Sequence, residues 1–419
     1  MSETLVVVGA SLAGMRAVEA VRGDGWAGSV VLVGAEEHLP YDRPPLSKGY
    51  LSADDCPDPT YRDEARLTGE LGVDLVLGTP ASTLDTDGRT VAVGDRELHY
   101  DSLVLATGSH ARSLPGTEGL GGVFTVRTLD DARALRAALR VGTPRVTVVG
   151  AGFIGSEVAA VAREMGLPVT VIEQSPTPLA GPVGPRMGQA LTRLHERHGT
   201  RVLSGVGVAE VLGDDRVRAV RLSDGSELET DVLIAGVGAV PATDWLSGSG
   251  LLLDDGVVAD ATLAAAPGVH VAGDIARWPN QLFDDVLAGP MRLQHWTSAA
   301  EQGARAARNA VGPAQAQAYE TIPYFWSDWY SSRIQFAGVS QADGHEVHIE
   351  VVAGDAAGDG PFTALYGAGG RIVGALCLDM PAEIMKYRRL ISQRTPWNAA
   401  LEFADERRRK AAEKARAAR

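Results

Sequence analysis

Apolar positions along the chain fall twice into the same arrangement. The run Leu5-Val6-Val7-Val8 ends in the small residues Gly9-Ala10-Ser11-Leu12-Ala13-Gly14, continues with helical spacing over Leu12–Gly23, and returns to a β-branched run at Val30–Val33. A short fully apolar run followed by a 3.6-residue period predicts strand, tight turn, helix, strand. The pattern recurs with Val146–Val149, Gly150-Ala151-Gly152-Phe153-Ile154-Gly155, a helix to Met165 and a strand Val169–Ile172, after a helical stretch Leu129–Leu139. Between the copies lie short strand patterns at Val73–Leu77 and Thr90–Val93, and an apolar run Leu103-Val104-Leu105 that ends in Ala106-Thr107-Gly108. After the second copy come short strands across 200–240 with an Asp224-Gly225 hairpin signal, then Val232–Ala235 leading into Gly236-Val237-Gly238 and Pro241. A strand over Gly268–Ala272 runs into Gly273-Asp274, and Thr297–Asn309 reads as a helix. From Ile322 the pattern changes to an aromatic run, then to strands Arg333–Val339, Glu346–Val352, Phe362–Tyr366 and Ile372–Leu378 with glycine-rich turns; 381–419 reads as helical.

The spaced small residues carry the candidate chemistry. A turn of this kind leaves backbone N–H groups pointing outward at a helix N-terminus, where the helix dipole favours negative charge, so a pyrophosphate can sit against the chain. In the first turn the middle position is Ser11 rather than glycine; the second has Gly150, Gly152 and Gly155 in full. Glu173 ends the second strand of its unit 23 residues after Gly150, the spacing at which a carboxylate reaches a ribose. Such a carboxylate accepts a bond from a free 2′-hydroxyl and repels a 2′-phosphate, which points to NADH rather than NADPH. Glu36, 27 residues after Gly9, is late for the same contact and reads either as a ribose acid or as a solvated turn acid. A repeated nucleotide unit implies two different dinucleotides. The segment Pro40-Tyr41-Asp42-Arg43-Pro44-Pro45-Leu46-Ser47-Lys48 presents Arg43 and Lys48 on a backbone stiffened by three prolines.

At 419 residues the chain exceeds one core, so two or three domains are expected. Hydrophobic residues make up 45%, an ordinary globular share, and no apolar run approaches the roughly 20 residues of a membrane span. The N-terminus runs straight into a strand, so a cytoplasmic protein is expected. Cys56 and Cys377, far apart, form no disulfide framework, CxxC pair or metal-ligand set, so no metal of its own is expected. A formal charge of -14 disfavours nucleic acid as a partner.

GASLAG, PYDRPPLSK, Leu103–Ser109, GAGFIGSE and the late Gly273-Asp274 together resemble the ferredoxin reductases of oxygenase systems, over essentially the whole chain. The resemblance implies an α/β fold: two Rossmann-like dinucleotide-binding domains, glutathione-reductase-like, plus a C-terminal α+β domain. It places the FAD domain at 1–112 and 242–321, the NADH domain at 113–241, and the C-terminal domain at 322–419. It implies that NADH gives hydride to FAD, and that single electrons then pass to an iron–sulfur ferredoxin, or a rubredoxin, serving a haem monooxygenase or ring-hydroxylating dioxygenase. FAD would be held by Gly9, Ser11, Leu12, Ala13, Gly14, Glu36, Arg43, Lys48, Thr107, Gly108, Arg112, Asp274 and Trp296. NADH would be held by Gly150, Gly152, Phe153, Ile154, Gly155, Glu173, Val237 and Gly238. Lys48 and Glu157 would pair at the nicotinamide side as the catalytic groups.

Blander readings stand beside these: Gly108 as a strand terminator, Trp296 as core packing, Glu157 as a helix-surface acid. His295 is left without a catalytic role, because hydride transfer to flavin needs orientation rather than a base. The chain departs from the resembled pattern at Trp329 and at Asp379-Met380-Pro381, where partner choice or access to the flavin is expected to be decided. Arg305, Arg308, Arg333, Lys386, Arg388 and Arg389 are expected to contribute a basic patch for an acidic ferredoxin. The run Arg407–Lys410, with Lys414, Arg416 and Arg419, is expected to be a solvated, frayed helix. Monomer or weak homodimer is the expected assembly. Two other functions fit the scaffold: an NADH oxidase, peroxidase or disulfide reductase, which needs a cysteine beside the flavin, and a flavin-bound signalling protein resembling apoptosis-inducing factor.

Overall fold

The computed structural model describes residues 3–55 and 57–417. They cluster into two compact units. The first gathers the chain up to Asp42, then Asp58–His110 and Ala239–Pro323; the second gathers Arg43–Pro57, Ala111–Gly238 and the chain from Tyr324 onward. The longer helices, in chain order, are α1 (Leu12–Gly23), α2 (Leu129–Leu139), α3 (Phe153–Glu164), α4 (Pro185–Arg197), α5 (Trp296–Val311), α6 (Pro381–Ser392) and α7 (Trp397–Ala417).

In the first unit a six-stranded sheet runs in the order Ala264–Ala266, Val269–Val271, Ser102–Leu105, Thr4–Val8, Ser29–Val33, Val73–Val76. Thr4–Val8 is central, with parallel partners on both sides: Val6 lies opposite Val31 and Leu103, and Val8 opposite Val33 and Leu105. A strand covered on both faces has no use for polar alternation, which is why its sequence is a continuous apolar run. Val6, Val8, Leu103, Leu105, Val269 and Val271 form the centre of this core. α1 packs against α5 so closely that a Cβ on Gly303 would sit 2.1 Å from the carbonyl oxygen of Ala13.

The second unit repeats the plan with a five-stranded parallel sheet: Arg201–Ser204, Val169–Glu173, Val146–Val149, Val232–Ala235, Val123–Phe124. Its other layer is a five-stranded antiparallel sheet ordered Tyr324–Trp329, Ser332–Gly338, Arg371–Leu378, Phe362–Ala368, His348–Gly354. Strands 362–368 and 371–378 are buried at every position. The aromatic run after Ile322 is itself the edge strand of this sheet, hairpinned to the next through Tyr330 and Ser331. The C-terminal helical stretch is two helices rather than one: the chain breaks between α6 and α7, where Arg394 has φ 48° and Pro396 has no N–H to give a continuing helix.

Candidate active site

Both glycine turns are shaped by backbone passing close to backbone. Gly9, at φ +121°, runs so near the segment leaving strand 102–105 that a Cβ there would lie 2.1 Å from the Ala106 oxygen, and one on Gly14 would lie 2.0 Å from the Gly9 oxygen. The second turn has the same two contacts: Gly150 against the Gly236 oxygen at 2.4 Å, and Gly155 against the Gly150 oxygen at 2.2 Å. Gly152, the middle position, instead faces open space, with no atom within 4 Å of where a Cβ would stand. First and third glycines are therefore demanded by the protein's own packing; the middle one leaves room in front of the helix. Ser11 occupies the equivalent place in the first turn.

The helices that follow are prepared for an anion. α1 begins at Ser11 and α3 at Gly152 with no side-chain cap and no acidic residue in the first turn. α2 closes its own N-terminus with a Thr128–Asp131 capping box; α4, α5 and α6 also start without a side-chain cap, so what sets α1 and α3 apart is the glycine turn in front of them. Uncapped N–H donors together with an unopposed dipole fit a pyrophosphate group.

In the first unit, each of the groups assigned to the flavin from sequence is held by contacts of its own. The Asp274 carboxylate accepts a hydrogen bond from Ser109 Oγ at 2.7 Å, and Arg292 donates to the Asp274 carbonyl at 3.2 Å. Gln302 Oε1 accepts the Gly273 N–H at 2.8 Å, while its Nε2 is buried with no hydrogen-bond partner in the protein. A buried amide donor left open beside Gly273, an uncapped α1 and a glycine cradle fit a dinucleotide that brings its own acceptors. Trp296 donates its indole N–H to Asp42 Oδ1 at 2.8 Å, and Tyr61 donates to the same oxygen at 2.7 Å. Thr107 Oγ1 donates to the Ala242 carbonyl at 2.9 Å, Gly108 takes φ +72°, and Glu36 accepts from the Tyr41 hydroxyl at 2.6 Å.

In the second unit, Glu173 holds the glycine turn itself. One carboxylate oxygen accepts the Ala151 N–H at 2.9 Å and the other the Ser175 N–H at 2.8 Å, so the acid lies against the turn rather than out in solvent. Arg43, Lys48 and Arg112 also belong to this unit. Arg43 donates to the Arg127 carbonyl at 2.5 Å, and the Arg112 N–H bonds the Gly238 carbonyl at 3.0 Å, with the Arg112 side chain exposed. Ile154, 47% exposed on the first turn of α3, is one of the few large apolar side chains left open there.

Glu157, one turn further along α3, is 4% exposed, so it is not a helix-surface acid. Lys48 Nζ lies 2.7 Å from its Oε1. Ser327 Oγ donates to the same oxygen and Ser47 Oγ to the other, both at 2.5 Å. Burial pushes the carboxyl above its ordinary range, against the opposing pull of Lys48 and the two hydroxyls. Ser47 stands next to Lys48 on the proline arm, and its small hydroxyl in the PPLS turn was the only signal the sequence offered for it. Ser327 lies 170 residues from Glu157, and no local pattern marks it.

Other expectations fare differently. Trp329 is 1% exposed and its indole N–H donates to Ser327 Oγ at 2.8 Å, so it forms part of the support behind Glu157. Asp379, at φ +54°, accepts the Arg333 N–H at 2.6 Å and joins a strand to α6. Arg308 is paired with Asp24 at 2.7 Å and Lys386 with Glu383 at 2.8 Å, so part of the expected basic patch is neutralised. Arg333 and Arg388 lie over the rings of Trp326 and Tyr324, 5.9 and 5.7 Å from the centroids, and Arg333 also faces Asp328 at 3.8 Å. Arg407, expected to be solvated, ties α7 to α6 through Glu383 at 2.7 Å; Arg419 lies outside the described residues. Cys377 is fully buried with its thiol pushed up to about 12 by burial, and Cys56 lies outside the described residues. Among the described residues no cluster of His, Cys, Asp and Glu could hold a metal, and no helix is long and apolar enough to cross a membrane.

Comparison with known proteins bears on the same regions. The pyridine nucleotide-disulphide oxidoreductase family matches residues 3–303, and the reductase C-terminal family matches residues 324–409. The chlorobenzene dioxygenase ferredoxin reductase component of Cupriavidus sp. (strain PS12) is 35% identical, covering 94% of this chain and 93% of its own. Putidaredoxin reductase CamA of Pseudomonas putida is 30% identical over 94% of this chain and 93% of its own. Among solved structures, a chain of the covalent putidaredoxin reductase–putidaredoxin complex superposes with a TM-score of 0.87 at 30% identity, covering 94% of both chains. With both nucleotide cradles inside the first match and the edge strand that carries Ser327 inside the second, this chain belongs to the pyridine nucleotide-disulphide oxidoreductase family and carries that family's reductase C-terminal domain.

Proposed function

We propose that this chain is an FAD-dependent NADH:ferredoxin reductase, supplying single electrons to an iron–sulfur ferredoxin that serves a haem monooxygenase or a ring-hydroxylating dioxygenase. The observation that carries the reading is the pair of matched cradles in one chain: two glycine turns with the same backbone contacts, each opening an uncapped helix. The names of the relatives, which are reductase components of such systems, support the choice of acceptor. Bound FAD supplies the chemistry that converts a hydride pair into single electrons.

The side chains have simpler tasks. The first cradle, with Asp274, Gln302 and Trp296, would hold the flavin nucleotide. The second cradle binds NADH, with Glu173 accepting the ribose hydroxyls and Val237 and Gly238 bordering the nucleotide. Glu157 keeps Lys48 in place, and Ile154 would border the nicotinamide. No residue has to form a covalent bond, and the described cysteine, Cys377, is buried and protonated. That observation disfavours the oxidase, peroxidase and disulfide-reductase reading.

The Trp326 and Tyr324 rings with Arg333 and Arg388 over them are the part of the expected basic patch that would meet an acidic ferredoxin, with Arg333 shared with Asp328. The test is direct. The purified protein should be yellow, and NADH should drive reduction of a haem acceptor only when a ferredoxin is added. A colourless protein with no flavin recovered on denaturation, or turnover unaffected by any ferredoxin or rubredoxin, would end the proposal. Slow formation of a long-lived reduced complex without turnover would favour the signalling alternative.

A further inference from the structure

The support behind Glu157 has a direction. Ser327 Oγ stands 2.5 Å from Glu157 Oε1 and 2.8 Å from the indole nitrogen of Trp329. An indole N–H can only donate, and a hydroxyl can both donate and accept. The Trp329 contact therefore occupies a lone pair of Ser327 and leaves its proton to the carboxylate. A side chain that could also accept at this place would not force that choice.

Trp329 is in turn held firmly. Its ring stacks on His195 of α4, with centroids 4.8 Å apart and planes 23° apart, and lies 6.4 Å from Phe153 at the start of α3. The next residue, Tyr330, takes φ +55° as the first of two hairpin-loop residues, a conformation that glycine adopts without strain. Its hydroxyl is 2.9 Å from His195 Nδ1 and 2.8 Å from Thr200 Oγ1, and its ring stacks flat on His198 at 3.7 Å. These contacts seat the hairpin on α4 and the segment after it, and so fix where Trp329 presents its N–H.

We propose that Trp329 is a positioning residue whose indole N–H commits the Ser327 hydroxyl to Glu157, fixing the orientation and charge of the carboxylate that pairs with Lys48. This rests on the functional reading above only for what the Lys48–Glu157 pair does; the relay itself is geometry. The charged group facing Glu157 is Lys48, from the proline arm. The edge strand brings Ser327, with Asp328 turned toward Arg333 at 3.8 Å. Strand 169–173 ends in Glu173, whose carboxylate is turned to the Ala151 and Ser175 N–H groups. Strand 146–149 carries no titratable group, the short helix Gly49–Ser52 carries Tyr50, and His195 behind Trp329 stays neutral, its pKa pushed down to about 4 by burial.

The test compares W329F, which keeps an aromatic ring and loses the N–H, with S327A, S327T and the double variant W329F/S327A, all as holoprotein. The readout is an infrared titration of the Glu157 carboxyl, its band identified by its loss in E157Q. Losing a donor to a charged group should raise proton affinity about tenfold, an upward midpoint shift of about one pH unit in W329F and in S327A. S327T should titrate like the parent protein, and the double variant should move no further than S327A, because both changes break one relay. An unshifted W329F, or a full extra shift from W329F on top of S327A, would overturn the proposal. If W329F does not fold, equal midpoints for S327A and S327T overturn it. NADH-to-ferredoxin flux recorded on the same samples keeps the two ideas apart. A shifted midpoint without any flux removes the function and leaves the relay, and normal flux with an unshifted midpoint does the reverse.

Discussion

Removing the lysine that neutralises Glu157 should destabilise the second unit in a pH-dependent way. In K48A the carboxylate keeps its two serine donors and loses its counter-charge at 4% exposure. Stripping one partner from a buried ion pair costs about 3–5 kcal/mol when the other must stay charged. Here an upper bound applies, since the carboxyl can take a proton instead. Starting from an ordinary carboxyl at 4.5, protonation costs about 3 kcal/mol at pH 7 and under about 1 kcal/mol at pH 5. The sign follows from linkage: in K48A the folded-state carboxyl titrates further above the unfolded one than it does in the parent. Its contribution is intact below the unfolded value and is lost as pH rises through the folded value. K48A should therefore be up to about 3 kcal/mol less stable than the parent at pH 7, the parent's own raised carboxyl already carrying part of that cost, and nearly equal to it at pH 5, with E157Q in the K48A background removing this carboxyl's share of the pH dependence. Urea unfolding followed by tryptophan fluorescence at the two pH values measures this. A loss of equal size at both would refute the reasoning and assign the effect to packing of the lysine stem.

Three further outcomes follow from the geometry. Replacing Glu173 by Ser should lower the NADH-to-NADPH ratio of kcat/KM by roughly ten- to a hundredfold, a loss of one hydrogen-bonded discrimination; an unchanged ratio in steady-state assays would place the ribose elsewhere. Gly303→Ala should destabilise the first unit by about 1–3 kcal/mol in thermal unfolding, although alanine is the better helix former, because its Cβ would meet the Ala13 carbonyl at 2.1 Å; greater stability would show that α1 and α5 can part freely. His195 and His270 are buried and neutral, each pushed by burial from 6.5 to about 4, so unfolding takes up protons as acid is added. Stability should fall as pH drops from about 6.5 toward about 4, by up to about 3 kcal/mol per histidine, and urea midpoints in H195Q should fall less steeply than in the parent.

Much of the site was legible in the order of residues because it is made of local backbone chemistry. The glycine turns declare themselves where a strand must turn into a helix with no room for side chains: Gly9 and Gly14 in one copy, Gly150 and Gly155 in the other. The prolines around Arg43 and Lys48 mark a stiff arm for the same reason, and Glu173 follows from the length of one βαβ unit. Lys48 and Glu157 are 109 positions apart, and their pairing was expected from family resemblance, not from any local pattern. What the tertiary structure alone decided is everything that depends on which distant strands meet. Ser327 and Trp329 read, in sequence, as part of an aromatic run with nothing to mark a buried partner; the hairpin anchored by Tyr330 on α4 turns them inward to Glu157. Arg308 and Arg407 look like free cations until folding brings them to Asp24 and Glu383. Periodicity reports how a segment is buried, whereas the partner of a buried polar group is set by the register and seating of elements far apart in the chain.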